Sequence, residues 1–372
     1  MMTAGANKAE GHLYVHVPFC RTICGYCDFC RVVYRRETAE QWLHALQFEL
    51  NHRDDIPAVP ETIYIGGGTP TSLDADLFAR LLELTGTYAK ECTEYTVEVN
   101  PETLDETKAA LLRKAGVNRV SMGFQSSDPK ELAFMNRHHT LDTVRRAAQM
   151  LRDNGIDNLS LDLIYGLPGQ DAASLDRSIA DALSIQPKHM SLYSLTIEEN
   201  SIFGKKGVEP CDEELEADLY ELVCARMQEA GFERYEIANF ARYGYYSRHN
   251  TAYWEYRDFC GVSAGASGKS GHMRYDVERS LAAYLKNPLA RTEIPLSVED
   301  VCFETVMMSL RMKKGLKRSL FLERTGRNLD DIYGNVIREL CMQGLLMDDG
   351  ERIFCTERGA SLLNDVLESF LP

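Results

Sequence analysis

The sequence predicts an α/β fold: a partial or complete parallel β/α barrel of about six units, followed by a small C-terminal winged-helix-like domain. Short β-type runs alternate with amphipathic helical patterns from Leu13 to about Leu195. Polar and glycine-rich residues gather immediately after those runs, where barrel enzymes assemble their sites. Beyond Val301 the order becomes helix, helix, helix, hairpin, helix.

The first strand is predicted at Leu13–Val17, and a helix starting near Thr38 places Trp42, Leu43, Leu46 and Leu50 on one face. Further strands are predicted at Thr62–Ile65, Thr96–Val99, Arg119–Phe124, Asn158–Ile164 and Met190–Leu195. Strands separated by helices imply parallel pairing, because each crossover covers a face that parallel strands must bury. Ser201–Pro210 reads as a loop, Asp212–Ala230 as a helix and Arg234–Phe240 as another strand; Tyr243–Tyr256 is aromatic and polar, and Gly261–Gly271 is a run of small residues. The tail reads as helices at Cys302–Met312, Ser319–Thr325 and Leu329–Met342, a hairpin from Gly344 to Thr356, and a helix at Gly359–Phe370. The expected divisions are a flexible terminus over 1–12, a barrel over 13–240, a connecting region over 241–300 and the winged-helix-like domain over 301–372.

The 372 residues, 44% of them hydrophobic, suffice for a large core. No run reaches the ~18 to 20 apolar residues of a membrane span, and no secretory h-region opens the chain, so a cytoplasmic location is expected. A formal charge of −15 opposes phosphate backbones, which argues against nucleic acid. Residues 301–372 hold 10 Lys and Arg against 11 Asp and Glu, so the tail presents no evident phosphate-binding face and reads as a lid or partner surface.

Eleven cysteines in such a chain argue for metal ligation by a clustered subset, not for a disulfide framework. That subset is Cys20, Cys24 and Cys27, directly after the first strand. Three thiolates from one loop can each hold one corner of an iron-sulfur cube and leave the fourth iron open to a small molecule. The competing reading is zinc with His16 or Cys30 as fourth ligand, although no second CxxC is present.

Cys20-x-x-x-Cys24-x-x-Cys27, with Phe29 after it and Tyr14-Val15-His16-Val17-Pro18-Phe19 before it, resembles the radical S-adenosylmethionine (SAM) superfamily. Within it the chain resembles the oxygen-independent coproporphyrinogen III oxidase family, from Leu13 to Pro372. The resemblance implies a 4Fe-4S cluster on the three cysteines and SAM on the open iron. It implies cofactor contacts from Tyr14, Gly67, Gly68, Thr69, Glu98, Gln125 and Arg137, with Asp162 as a costly carboxylate inside an apolar strand.

Two features resemble the HemW-type heme chaperone branch of that family. The third ligand continues as Cys27-Asp28-Phe29, and His249-Asn250-Thr251-Ala252-Tyr253-Trp254 matches the branch's HNxxYW motif in full. About a dozen residues precede the first strand, whereas the oxidase carries a substantial extra segment there. The resemblance thus implies a carrier of heme, with His249 as tentative heme ligand, a heme-accepting partner protein, an electron donor for the cluster, and peripheral association with membrane-bound acceptors. Alternatives are the coproporphyrinogen III dehydrogenase itself, a radical methyltransferase that opens the heme ring, and, more distantly, a zinc-bearing DNA regulator. Cys30 departs from the family pattern, as a spare thiol or a redox-sensitive neighbour, and Ser263 stands where the family shows glycine.

Overall fold

In a computed structural model, residues 11–371 are described. Most of the N-terminal stretch 1–12 expected to be flexible therefore lies outside the described residues, and His12 already belongs to the first strand.

The chain builds β1 (His12–Val17), a loop pinned by β2 (Phe19–Cys20) and β3 (Val32–Val33), and α1 (Arg36–His52). It continues through β4 (Thr62–Gly67), α2 (Ala75–Gly86), β5 (Glu94–Val99), α3 (Glu106–Lys114), β6 (Arg119–Gln125), α4 (Pro129–Phe134), α5 (Leu141–Asp153), β7 (Leu159–Tyr165), α6 (Ala172–Ser184) and β8 (His189–Ser194). The six strands expected between Leu13 and Leu195 all form, with ends shifted by one or two residues. Each long strand pairs in parallel with the next, β1 through β8. Trp42, Leu43, Leu46 and Leu50 of α1 are buried as the apolar spacing requires. Asp105, Thr140 and Asp171 cap α3, α5 and α6, each accepting a backbone N–H that the first helical turn would otherwise leave unpaired.

After β8 come α7 (Ile202–Lys205), α8 (Glu213–Glu229), β9 (Glu233–Arg234), β10 (Asn239–Ala241), α9 (Arg248–Trp254), β11 (Cys260–Val262), β12 (Ser267–Ser270), β13 (Met273–Val277), α10 (Leu281–Lys286) and β14 (Arg291–Pro295). The main sheet runs β11-β1-β4-β5-β6-β7-β8-β10-β9, with six consecutive parallel strands at its centre. β11 adds in parallel to β1 at one edge, and β10 adds antiparallel to β8 at the other. The barrel is therefore partial.

Three expectations are corrected here. Arg234–Phe240 is no single strand: β9 and β10 form an antiparallel hairpin, and the Glu236 carboxylate accepts the Ala238 N–H inside its turn. Ser201–Pro210 is not all loop, because Ser201 caps the single turn α7. The terminal helix is two, α14 (Glu357–Ser361) and α15 (Leu363–Glu368), interrupted at Leu362.

The tail contains α11 (Val298–Ser309), β15 (Leu316–Lys317), α12 (Arg318–Thr325), α13 (Leu329–Met342), β16 (Leu346–Asp348) and β17 (Arg352–Cys355) before those two helices. Its three strands pair β15-β17-β16, and Val306, Leu316, Phe321, Ile353 and Val366 form a core separate from that of the barrel. Ser263, with φ +81°, occupies the left-handed region that favours glycine. Its hydroxyl accepts the Trp42 indole N–H at 2.7 Å and its own N–H donates to Glu49 at 2.9 Å, so this position locks α1 to the edge strand. Among the described residues, no helix is long and apolar enough to cross a membrane.

Candidate metal centre at the barrel mouth

Cys20, Cys24 and Cys27 lie on the loop that leaves the C-terminal end of β1. The loop's stem is closed by parallel pairing of Phe19 and Cys20 with Val32 and Val33. Its far side is held by backbone: Gly25 N–H donates to Met135 O at 3.0 Å, and Phe203 N–H donates to Gly25 O at 2.8 Å. The Asn136 amide donates to Ile23 O at 2.8 Å. Phe203 belongs to α7, so the turn missed in the sequence is one wall of the cysteine loop. All three thiols are free of disulfides. Burial pushes Cys20 up to about 12 and raises Cys27 as well.

A ring of hydrogen bonds joins two of these thiols. The Thr69 hydroxyl donates to Cys20 Sγ at 3.8 Å, and the Asn100 amide donates to Thr69 Oγ1 at 3.1 Å. Asn100 Oδ1 accepts both Nη1 and Nη2 of Arg137 at 2.9 Å, and Arg137 Nη1 reaches Cys24 Sγ at 3.7 Å. Arg137 Nη2 also donates to Gly123 O at 2.9 Å, while its Nε is buried with no hydrogen-bond partner. The fork expected to be open to a carboxylate is thus largely occupied by protein acceptors, and it places a fixed positive charge beside a cluster thiol. Asn100 was passed over in the sequence; its position directly after β5, beside Glu98, was the available signal. Arg31, which donates to the carbonyls of Cys27 and Phe29, was also missed.

The zinc reading meets an obstacle. His16 is hydrogen-bonded through Nε2 to Cys30 O at 2.7 Å and through Nδ1 to the Tyr14 hydroxyl at 2.9 Å. The Cys30 thiol donates to Arg279 O at 3.0 Å. Neither candidate fourth ligand turns toward the other three. A single ion needs converging donors, and among the described residues no group of three or more His, Cys, Asp or Glu converges in that way. A cube asks for three separated thiolates, one per iron corner, which suits this loop.

Gly67 ends β4 and Gly68 follows it, both lying against β1. A Cβ on Gly68 would stand 2.6 Å from Phe19 O and 2.8 Å from Val17 O, both backbone. Gly67 has φ +107°, and a Cβ there would be 2.5 Å from the His16 ring. These glycines let the turn approach the cysteine loop, and Thr69 N–H then donates to Phe19 O at 2.7 Å.

Deeper in the lumen, Glu98 accepts the Tyr64 hydroxyl at 2.7 Å and the Gly67 N–H at 3.1 Å. Burial, with Asp162 adding like charge, pushes its carboxyl up to about 7. Gln125 sits at a register slip between β6 and β7 with φ +60°, a bulge that turns its side chain away from the ladder. Its amide nitrogen, Asn100 Oδ1 and Arg137 Nη2 all lie close around Gly123. Asp162 accepts the Ser121 hydroxyl at 3.1 Å, and burial raises its carboxyl above the usual range. Tyr14 packs edge-on against His16 and near Tyr64. The fold thus brings Tyr14, Gly67, Gly68, Thr69, Glu98, Gln125, Arg137 and Asp162 around one lumen, with the cysteines at its mouth.

His249 does not join them. It lies at the N-terminal end of the strands, the length of a strand from the cysteines, 1% exposed. Its Nδ1 is hydrogen-bonded to Thr62 Oγ1 at 2.7 Å and its Nε2 to the Tyr253 hydroxyl at 2.7 Å. The Glu94 carboxylate accepts the N–H groups of Arg248 and His249 at 2.9 and 3.0 Å, anchoring α9 under the barrel. Both ring nitrogens are hydrogen-bonded and the side chain is sealed, so an iron would have to displace one of the two hydroxyls to reach it. The expectation of His249 as heme ligand is therefore at odds with this arrangement: a residue between two buried hydroxyls is a strut.

Residues 14–182 match the family model of the radical SAM superfamily, and residues 296–362 match that of the HemN C-terminal domain. The chain is 34% identical over 375 residues to the heme chaperone HemW of Bacillus subtilis strain 168, covering 96% of this chain and 98% of that protein. It is 31% identical over 373 residues to the heme chaperone HemW of Escherichia coli K12, covering 96% and 97%. Among solved structures it is similar to the coproporphyrinogen III oxidase HemN from Escherichia coli, a radical SAM enzyme, with a TM-score of 0.85 over 98% of this chain and 90% of that one; at 23% identity this shows the shared fold.

Proposed function

The chain belongs to the HemW family of the radical SAM superfamily, and from that premise we propose that it is a heme chaperone that holds a 4Fe-4S cluster and SAM at the barrel mouth and delivers heme to an acceptor protein. The observation that carries the cofactor half is the ring from Cys20 through Thr69, Asn100 and Arg137 to Cys24, which ties the glycine turn, the β5 end and the cation to the cysteine loop. The carrier half is supported by full-length correspondence to two proteins named as heme chaperones.

When bound, the cluster and SAM would supply a one-electron reductant and a reducible sulfonium. The protein's own contribution is positional. Cys20, Cys24 and Cys27 hold the metal, and Arg137 offsets thiolate charge at Cys24. Gly67 and Gly68 put no side chain at the turn beside the cysteine loop, while Glu98, Gln125 and Tyr14 would offer acceptors and donors for the amine and ribose. An electron donor for the cluster and a heme-accepting protein are the partners this reading requires.

Reconstituted anaerobically, the protein takes up one heme per chain and passes it to a heme-depleted acceptor. Incubated with coproporphyrinogen III, dithionite and SAM, it yields no protoporphyrinogen; accumulation of that product would overturn the carrier reading in favour of the dehydrogenase.

Glu98 gives a pH signature. Its carboxyl holds a proton until pH passes about 7, above the ordinary range. The folded chain therefore binds more protons than the unfolded one between ~4.3 and that value, and this group's contribution to stability falls as pH rises through the window. Cationic SAM prefers the ionised form, so its affinity rises roughly tenfold from pH 6 to 8. Isothermal titration across that range checks this, and Glu98→Gln flattens the dependence; an equally steep profile in the variant would exclude Glu98.

A further inference from the structure

The barrel lumen holds a buried guanidinium that the cofactor contacts described above leave unused. Arg119 opens β6, and parallel register sets it opposite Thr96 of β5, one rung below the pair formed by Glu98 and Ser121. Side chains alternate along a strand, so Arg119, Ser121 and Gln125 share the inward face of β6. Arg119 is 2% exposed and Thr96 is fully buried. Among the described residues, neither Arg119 Nε nor the Thr96 hydroxyl has a hydrogen-bond partner, and no carboxylate is close enough to ion-pair with the guanidinium. A buried charge without a direct partner is costly, so its place in the lumen asks for a physical reason.

Three carboxyls surround Arg119 without touching it. Below lies Glu94, two residues before Thr96 on β5, whose two oxygens are committed to the Arg248 and His249 N–H groups of α9. Above lie Glu98, one rung up, and Asp162, which reaches down from the level of Gly123 to accept the Ser121 hydroxyl at 3.1 Å. Glu98 and Asp162 are only partly buried, whereas Arg119 is sealed beneath them. A ligand entering from the cysteine loop therefore meets the two carboxyls and stops short of the guanidinium. The other titratable groups facing this column are Tyr14 of β1, Tyr64 of β4, His189 and Tyr193 of β8, and Tyr235 between β9 and β10. The phenols stay protonated across the neutral range. Burial, with Arg119 adding to it, keeps His189 neutral. Arg137 stands higher, engaged with Asn100 and Gly123, which leaves Arg119 as the fixed positive charge at this depth.

We propose that Arg119 is a positioning residue for the cofactor, a countercharge that acts through space on Glu98 and Asp162 and favours the ionised carboxylates a cationic ligand needs. This rests on the SAM reading above. A guanidinium in contact with Glu98 would occupy the oxygens that the ligand must reach. One rung away it supplies the field and leaves those oxygens open. Burial, with the like charge of Asp162, pushes the Glu98 carboxyl up to about 7; the Tyr64 hydroxyl, the Gly67 N–H and Arg119 oppose a further rise.

Isotope-edited carboxyl NMR on the cluster-reconstituted full chain follows Glu98 directly, its resonance assigned by its absence in Glu98→Gln. In Arg119→Met and Arg119→Gln the Glu98 midpoint rises by about one pH unit, and in Arg119→Lys it returns toward the wild-type value. SAM titrations from about pH 6 to about pH 9 show the same upward displacement. The affinity reached at high pH does not fall, because the neutral variants also lose the repulsion between Arg119 and a cation. A packing defect does the reverse, lowering the high-pH affinity and leaving the midpoint in place. That pattern, or an unmoved Glu98 midpoint in both neutral variants, would overturn the assignment. So would failure of both to fold by circular dichroism, which would make Arg119 a structural cation. A wild-type chain that shows the Arg119-dependent Glu98 midpoint but binds no SAM at any pH would instead overturn the cofactor reading.

Discussion

Gly68→Ala destabilises the barrel by about 3 kcal/mol, the upper end for an inserted methyl, and leaves the purified protein largely without iron. The added carbon would sit 2.6 Å from Phe19 O and 2.8 Å from Val17 O. Neither atom can rotate away, since both are backbone, and Gly68 N–H itself donates to Val17 O at 2.8 Å. The turn must move off β1, and it takes with it Thr69, whose N–H and hydroxyl hold Phe19 O and Cys20 Sγ. A loss of ~5–10 °C in melting temperature is expected, together with a sharp fall in iron per chain after reconstitution. Wild-type melting and iron content would show that the close approach carries no weight. A milder outcome is expected at Gly86, where an added Cβ meets nothing within 4 Å.

Arg137→Leu preserves the barrel's outline but removes the cation that connects Cys24 to Asn100. Asn100 Oδ1 and Gly123 O lose their donors, and each buried acceptor left unpaired costs about 1–3 kcal/mol. The expected result is SAM affinity reduced by roughly 30-fold or more, equivalent to about 2 kcal/mol, with a cluster that bleaches faster on dilution. Arg137→Lys restores the charge but not the two-pronged geometry, so it recovers cluster retention better than SAM binding. Equal SAM dissociation constants for the leucine variant and the wild type, measured by equilibrium dialysis on cluster-loaded protein, would remove Arg137 from the site.

Much of the barrel was legible because burial writes itself into each strand locally. The runs at Leu13–Val17, Thr62–Ile65 and Arg119–Phe124 are apolar enough to be read without neighbours, and the polar residues after them mark one end of the sheet. Asn100 was harder. An asparagine before Pro101 reads equally well as a turn former, and only the proximity of Thr69 and Arg137, 31 and 37 residues away, makes it the bridge between two thiols. The β9–β10 hairpin was hidden for a similar reason: Arg234–Phe240 is strand-like in composition, but Glu236 satisfies its own turn.

His249 illustrates the limit most clearly. Its motif is complete and aromatic-rich, which invites a ligand role, yet Thr62 and Tyr253 occupy both nitrogens. The sequence by itself determined the strand–helix alternation, the three-cysteine loop and the family resemblance, because each depends on spacing within a short stretch. Tertiary structure alone decided which end of the barrel α9 closes and which acceptors hold Arg137. Those are contacts between distant segments, set by parallel register and strand order, and no local pattern encodes them.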